Sequence, residues 1–240
     1  DGTDDAVEVT RRLERALAAA RVAKQTAPES SEIKKLEAAA LCRLKRWPEA
    51  AAALGGGDEV DAPKGAVPQT LDRRDALDLL KAICYGGDAA RAARVASAWA
   101  AQFYKSRDWC ASQARRYKSV AELKDKGDAA FRAGDARAAE RWYAAALDED
   151  PEHPALHYNA AACLEKLGRP LDAARCCASA LRCRPDYAAA RLRRARCLAR
   201  GAAADGDRAA AQPDAGFAAN SVKSEREPNE NFVRYVGFDS

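Results

Sequence analysis

The chain has 240 residues, of which 40 are basic and 36 acidic, for a formal net charge of +4. That balance is too even to imply nucleic acid by itself, no apolar run approaches the ~20 residues of a membrane span, and no signal peptide is visible. Nearly half the residues are apolar, but alanine supplies much of that and aromatics only 7%. β-branched residues are sparse, and no stretch alternates over a strand's length before residue 231, so the expected class is all-α.

Taken in chain order, residues 5–26 read as one helix of a truncated helical pair. Residues 31–45 form the next, with Ser30 or Ser31 as N-cap and Ile33, Leu36, Leu41 and Leu44 as its apolar face. Trp47-Pro48 makes a turn, 48–54 is a short helix, and Gly55-Gly56-Gly57 ends it. Residues 55–71 lack periodicity and read as a flexible linker. A helical pair follows over about 73–85 and 88–105, turning at Gly86-Gly87-Asp88; then Asp108 caps a long helix predicted over about 109–133. Two strong helical hairpins occupy 120–153 and 154–187, a further helix 188–200, and a degenerate partner 206–212. The organisation is therefore 1–54, linker 55–71, 72–119, 120–212, and an extended tail over 213–240. Within that tail Phe232, Val233, Tyr235, Val236 and Phe238 are too apolar to stay solvated without cost, and are expected to dock on this chain or on a partner.

One feature organises these elements: an echo at an interval of 34 residues. Gly134, Ala139, Ala146, Leu147 and Pro151 return as Gly168, Ala173, Ala180, Leu181 and Pro185. The alanines fit a close helix crossing, the glycines a tight turn with positive φ, and the prolines stop a helix just past its end. Cys163 and Cys197 share the same interval and suit a small buried position, as do Cys42 and Cys84 further upstream. The eight cysteines lack the close spacing of a disulfide framework and read as reduced core thiols, which points to a cytoplasmic setting. The chain begins at Asp1 and has no methionine, so it is expected to be a piece of a longer product.

The segments LKDKGDAAFRAGD (123–135), ALHYNAAACLEKLGR (155–169), ASALRCRPDYAAARLRRA (178–195) and EAAALCRLKRWPEAA (37–51) resemble the tetratricopeptide repeats of co-chaperones that pair such repeats with a J-domain or a thioredoxin-like domain. Neither an HPD tripeptide nor a CxxC is present. The resemblance implies an α-solenoid of antiparallel hairpins that binds proteins and does no chemistry. It also implies a clamp for acidic C-terminal tails of chaperones, whose five positions map one at a time. Lys124, Asn159 and Arg193 match; the asparagine expected at 128 is Asp128, and the lysine expected at 189 is Ala189.

Residues 169–200 carry nine arginines against two aspartates, and Arg193, Arg196 and Arg200 lie at helical spacing as a basic stripe. The candidate peptide-binding residues are thus Lys124, Asn159, Arg193 and Arg196. Competing readings are an exposed Lys124–Asp128 salt pair four residues apart, an inter-helix or capping hydrogen bond for Asn159, and a solvated face for the arginines. His153 and His157 straddle Pro154, and no cysteine stands at zinc-like spacing, so no metal and no cofactor is expected. No catalytic residue is assigned. Nucleic acid is not expected because the arginines lack interleaved aromatics. The expected function is an adaptor holding acidic or extended peptides in a basic groove. The alternatives are a scaffold subunit of a larger assembly and a groove occupied by the chain's own C-terminal Phe238-Asp239-Ser240.

Overall fold

A computed structural model describes residues 2–54 and 72–210, and every regular element among them is helical. In order these are α1 (Gly2–Thr26), α2 (Ser31–Arg43), α3 (Trp47–Ala53), α4 (Arg73–Tyr85), α5 (Ala89–Gln102), a 3-10 turn (Tyr104–Ser106), α6 (Arg107–Arg132), α7 (Ala136–Glu149), α8 (Pro154–Lys166), α9 (Pro170–Cys183) and α10 (Ala188–Ala210). The expected linker 55–71 and tail 213–240, with the apolar cluster and the self-occupied groove proposed for it, lie outside the described residues.

The chain divides into two compact units, one up to Glu122 and one from Leu123. In the first, α1 packs on α2, α2 on α3 and α4, and α4 on α5. Leu17, Leu41, Leu80, Ile83, Val95 and Trp99 are almost fully buried there, and Trp47 meets Tyr85 edge to face with ring centroids 5.2 Å apart. The N-caps of α2, α4 and α5 are short polar side chains that satisfy helix-start N–H groups. Ser30 takes that role for α2, accepting from the Ile33 amide at 3.4 Å, while Asp88 accepts from the Arg91 amide at 2.7 Å.

Three expectations need correction. Leu36 is 65% exposed; α2 instead buries Ala38, Leu41 and Cys42, because neighbours on both sides select its small-residue face. Asp108 does not cap the long helix, which begins one residue earlier at Arg107 directly after the 3-10 turn. Nor does the chain turn near residue 201. The break expected between 200 and 206 is replaced by one continuous α10, and Gly201 is a contact residue: a Cβ there would lie 2.4 Å from Leu171 Cδ2.

In the second unit α7 packs on α8, α8 on α9 and α9 on α10. The echoing alanines Ala139, Ala146, Ala173 and Ala180 are all at 0% exposure, where any larger side chain would push the helices apart. Gly134 and Gly168, with φ of +87° and +73°, make the two equivalent inter-helix turns in the left-handed region that suits glycine. None of the eight cysteines is in a disulfide, and seven are buried. Burial pushes the Cys163 thiol up to about 12 and Cys177 to about 11, which keeps both protonated and inert at neutral pH.

The α7–α8 turn holds a buried imidazole. His157, 2% exposed, lies with Nε2 2.8 Å from the Pro151 carbonyl oxygen, so the tautomer with a proton on Nε2 donates there. Burial lowers its pKa below the ordinary value; the Arg182 charge acts in the same direction, and the carbonyl opposes it. A depressed histidine pKa means that the unfolded chain takes up the proton first on acidification. Stability is therefore expected to fall as pH drops below about 6.5, ahead of the carboxylates, which titrate near 4. His157→Gln should flatten that part of a urea-unfolding pH profile; an unchanged profile would assign the loss to another group.

Candidate functional site

Two polar clusters of the second unit join α6 beyond Leu123 to α8 and α8 to α10. On α6, Lys124 and Asp128 lie one turn apart, and Lys124 Nζ donates to Asp128 Oδ2 at 2.6 Å. The other carboxylate oxygen, Oδ1, accepts from the Tyr143 hydroxyl of α7 at 2.6 Å and from Asn159 Nδ2 of α8 at 3.4 Å. Burial pushes the Asp128 carboxyl up, but the Lys124 and Tyr143 hydrogen bonds outweigh it and hold the pKa below the ordinary range. Asp128 is thus an ionised carboxylate at neutral pH.

A cavity of about 390 Å³ opens here, lined by Asp128, Phe131, Arg132, Tyr143, Asn159 and Ala162. The Lys166 ammonium sits 3.8 Å from the centroid of the Phe131 ring, a cation–π contact at the cavity wall. Arg132 Nε donates back to the Asp128 carbonyl oxygen at 3.2 Å.

A second cluster lies between α8 and α10. Arg196 grips Glu165 as a fork, Nε and Nη2 each donating at 3.0 Å, and Arg200 Nη1 donates to the same carboxylate at 2.7 Å. Arg193 completes the set with Nε 3.5 Å from Glu165, while its Nη1 donates to the Tyr158 carbonyl oxygen at 2.9 Å. Its guanidinium also stacks 4.0 Å from the centroid of the Tyr158 ring, which in turn packs against Tyr187. Three guanidiniums meet one carboxylate.

These spacings follow a rule. Asp128 meets Asn159 and Glu165 meets Arg196 across 31 residues; Tyr158 meets Arg193 and Glu165 meets Arg200 across 35. Residues facing one another between α6 and α8, or α8 and α10, are thus separated by one 34-residue period to within three residues. Residues 130–197 match the family model described as the tetratricopeptide repeat. That stretch of the chain carries the tetratricopeptide repeat pattern. Stacked repeats of this kind are interaction modules, with broad surfaces that hold other proteins. No curated protein matches the chain. Among solved structures, the TPR2AB-domain:pHSP90 complex of yeast Sti1 is similar at 15% identity, with 86% of this chain and 83% of that chain covered and a TM-score of 0.33.

The four candidate residues fall into two groups. Lys124 and Asn159 both bind Asp128, so the lysine is engaged by its own chain; Arg193 and Arg196 both bind Glu165. The Lys124–Asp128 pair is more than an exposed surface contact, since Tyr143 and Asn159 tie it to two further helices. Nor are the arginines a merely solvated stripe. Ala189 is exposed and contributes no charge. Sequence reasoning missed Glu165 and Tyr143. Glu165 stands among neutral and basic neighbours and looks like an ordinary surface residue until the repeat period places it opposite the arginines. Among the described residues no group of three or more His, Cys, Asp or Glu is placed to hold a metal, and no helix is long and apolar enough to cross a membrane.

Proposed function

We propose that this protein is a non-catalytic adaptor that holds extended acidic segments of other proteins along the α6–α8–α10 face, anchored on the arginines of α10. One observation carries the reading: Arg193, Arg196 and Arg200 converge on the single carboxylate of Glu165, leaving an excess of two positive charges in one place. Planar guanidiniums present several donors in a fixed fork and suit carboxylates in a peptide. Arg196 and Arg200 have side chains 47% and 59% exposed, so both can turn from Glu165 to a ligand at small cost.

The Lys124 end of the face is different. Asp128 already occupies the lysine and the asparagine, which argues against a free terminal carboxylate as the ligand there and favours an internal segment. Electrostatic complementarity of this kind sets specificity and association rate more than affinity, and salt screens it. An acidic peptide is expected to bind the full chain with an affinity that falls as salt rises, and Arg196→Ala/Arg200→Ala should weaken it about tenfold or more by calorimetric titration. Equal binding by the double variant, or binding indifferent to salt, would discard the arginine anchor.

A further inference from the structure

We propose that the uncovered apolar face of α10 is the seat of the chain's own apolar run, Phe232 to Phe238, which closes the open end of the repeat stack. The inference stands apart from the peptide reading above, because Arg193, Arg196 and Arg200 hold Glu165 on another side of the same helix.

The repeat period shows what is uncovered. Ala161 and Leu164 of α8 are fully buried, whereas their counterparts 34 residues on, Ala195 and Leu198, are exposed. The difference is the helix that follows. α9 packs on α8, but among the described residues no helix follows α10. At about 100° per residue, Ala188, Leu192, Ala195, Leu198, Ala199 and Ala202 fall within about a third of the helix circumference. All six are exposed, Leu192 at 69% and Leu198 at 45%. An apolar stripe of this width is what a helix turns toward a partner.

Charge chooses the occupant. Residues 188–200 carry five arginines and no acidic residue. Arg191, which donates to the Pro185 carbonyl oxygen, and Arg194 meet no carboxylate among the described residues. Two copies of this face would bring like charges together. The chain's own run brings the opposite sign: Glu227 and Glu230 stand just before it and Asp239 just after, against the single Arg234. Phe232, Val233, Tyr235, Val236 and Phe238 supply the apolar cover that the two leucines lack.

The lengths agree. The 21 residues of 211–231 reach roughly 70 Å, and the way back along the helix from Ala210 to Ala188 is about 33 Å. The stripe from Ala188 to Ala202 is about 21 Å long, and seven extended residues span ~23 Å. A covalent tether raises the effective concentration of the run to about millimolar, so a weak contact suffices.

The test is brief trypsin digestion of the full chain, with cleavage after Arg234 read by mass spectrometry and the free peptide 221–240 as the unprotected reference. Arg234 is expected to be cut about tenfold more slowly in the chain than in the peptide, because cleavage tracks the undocked population. Leu192→Asp/Leu198→Asp, two exposed substitutions, should return the rate to that of the peptide and leave the circular dichroism unchanged. Arg191→Glu/Arg194→Glu should raise the rate about threefold at low salt, a difference that shrinks as salt rises. Protection that survives Leu192→Asp/Leu198→Asp would place the run elsewhere and overturn the inference, as would a wild-type rate equal to that of the peptide. Protection lost on dilution of the chain would assign the contact to a second copy, and would overturn it too.

Discussion

Tyr143→Ala is expected to lower the unfolding free energy of the second unit by about 3–5 kcal/mol, and Tyr143→Phe by only about 1–2 kcal/mol. The difference separates two roles of one side chain. Tyr143 is 2% exposed, and its ring lies against Gly127 of α6, where a Cβ would come within 2.6 Å of Cε1. The absence of a side chain at 127 makes the slot that the ring fills. Truncation to alanine empties a slot that α6 cannot refill from its own side, so the cavity cost adds to the lost burial. Phenylalanine keeps the ring and loses only the hydroxyl bond to Asp128, whose carboxylate retains Lys124 and Asn159. Urea unfolding followed by circular dichroism measures both. A phenylalanine variant as unstable as the alanine variant would show that the hydroxyl, rather than the packed ring, joins α7 to α6.

The echo at 34 residues made much of the fold legible because its positions answer to hard geometric constraints. Ala139, Ala146, Ala173 and Ala180 are buried where helices cross too closely for larger groups, and Gly134 and Gly168 hold backbone angles that favour glycine. Such constraints leave little freedom of residue type, so they show in one sequence. Leu36 and the expected break after residue 200 misled for the opposite reason. A leucine at helical spacing is read as core, yet which face of α2 is covered depends on partners that local periodicity does not name. The pattern weakens after residue 200, yet α10 runs on and Gly201 lies in close contact with Leu171. The site was half legible. The spacing singles out Lys124, Asn159, Arg193 and Arg196 as donors and offers Asp128 as a partner for Lys124, whereas the acceptors of Asn159 and the arginines came clear only with the structure. Asp128 was noticed for its charge but not for its four-way network with Lys124, Tyr143 and Asn159. Polar partners across helices fall within three residues of the repeat period, and a search for opposite charges 31 or 35 residues apart would have paired Glu165 with Arg196 and Arg200.

Glu165→Gln is expected to tighten the binding of acidic peptides about tenfold, equivalent to about 1.4 kcal/mol. Glu165 accepts both forks of Arg196 and one donor of Arg200, and pairs with Arg193, so it stands where a ligand carboxylate would stand. Its side chain is 13% exposed, which places the competing charge close to the ligand and partly shielded from water. A hydrogen bond to a charged group contributes about 1.5–3 kcal/mol net, so the release of even one guanidinium to the ligand covers the expected gain. Glutamine keeps the size and one acceptor oxygen, so the arginines retain a neutral partner and Tyr158 keeps its stacked Arg193. The cost to folding should fall mainly on the part-buried Arg193 pair, because the pairs to the half-exposed Arg196 and Arg200 are typically worth about 0–1 kcal/mol each. The gain should shrink as salt is added, since screening reduces the field of the three uncovered guanidiniums. Titration of the same acidic peptide at low and high salt decides the matter. Affinity unchanged by Glu165→Gln at low salt would mean that the ligand does not meet these arginines, and the anchor would have to be sought elsewhere on the face.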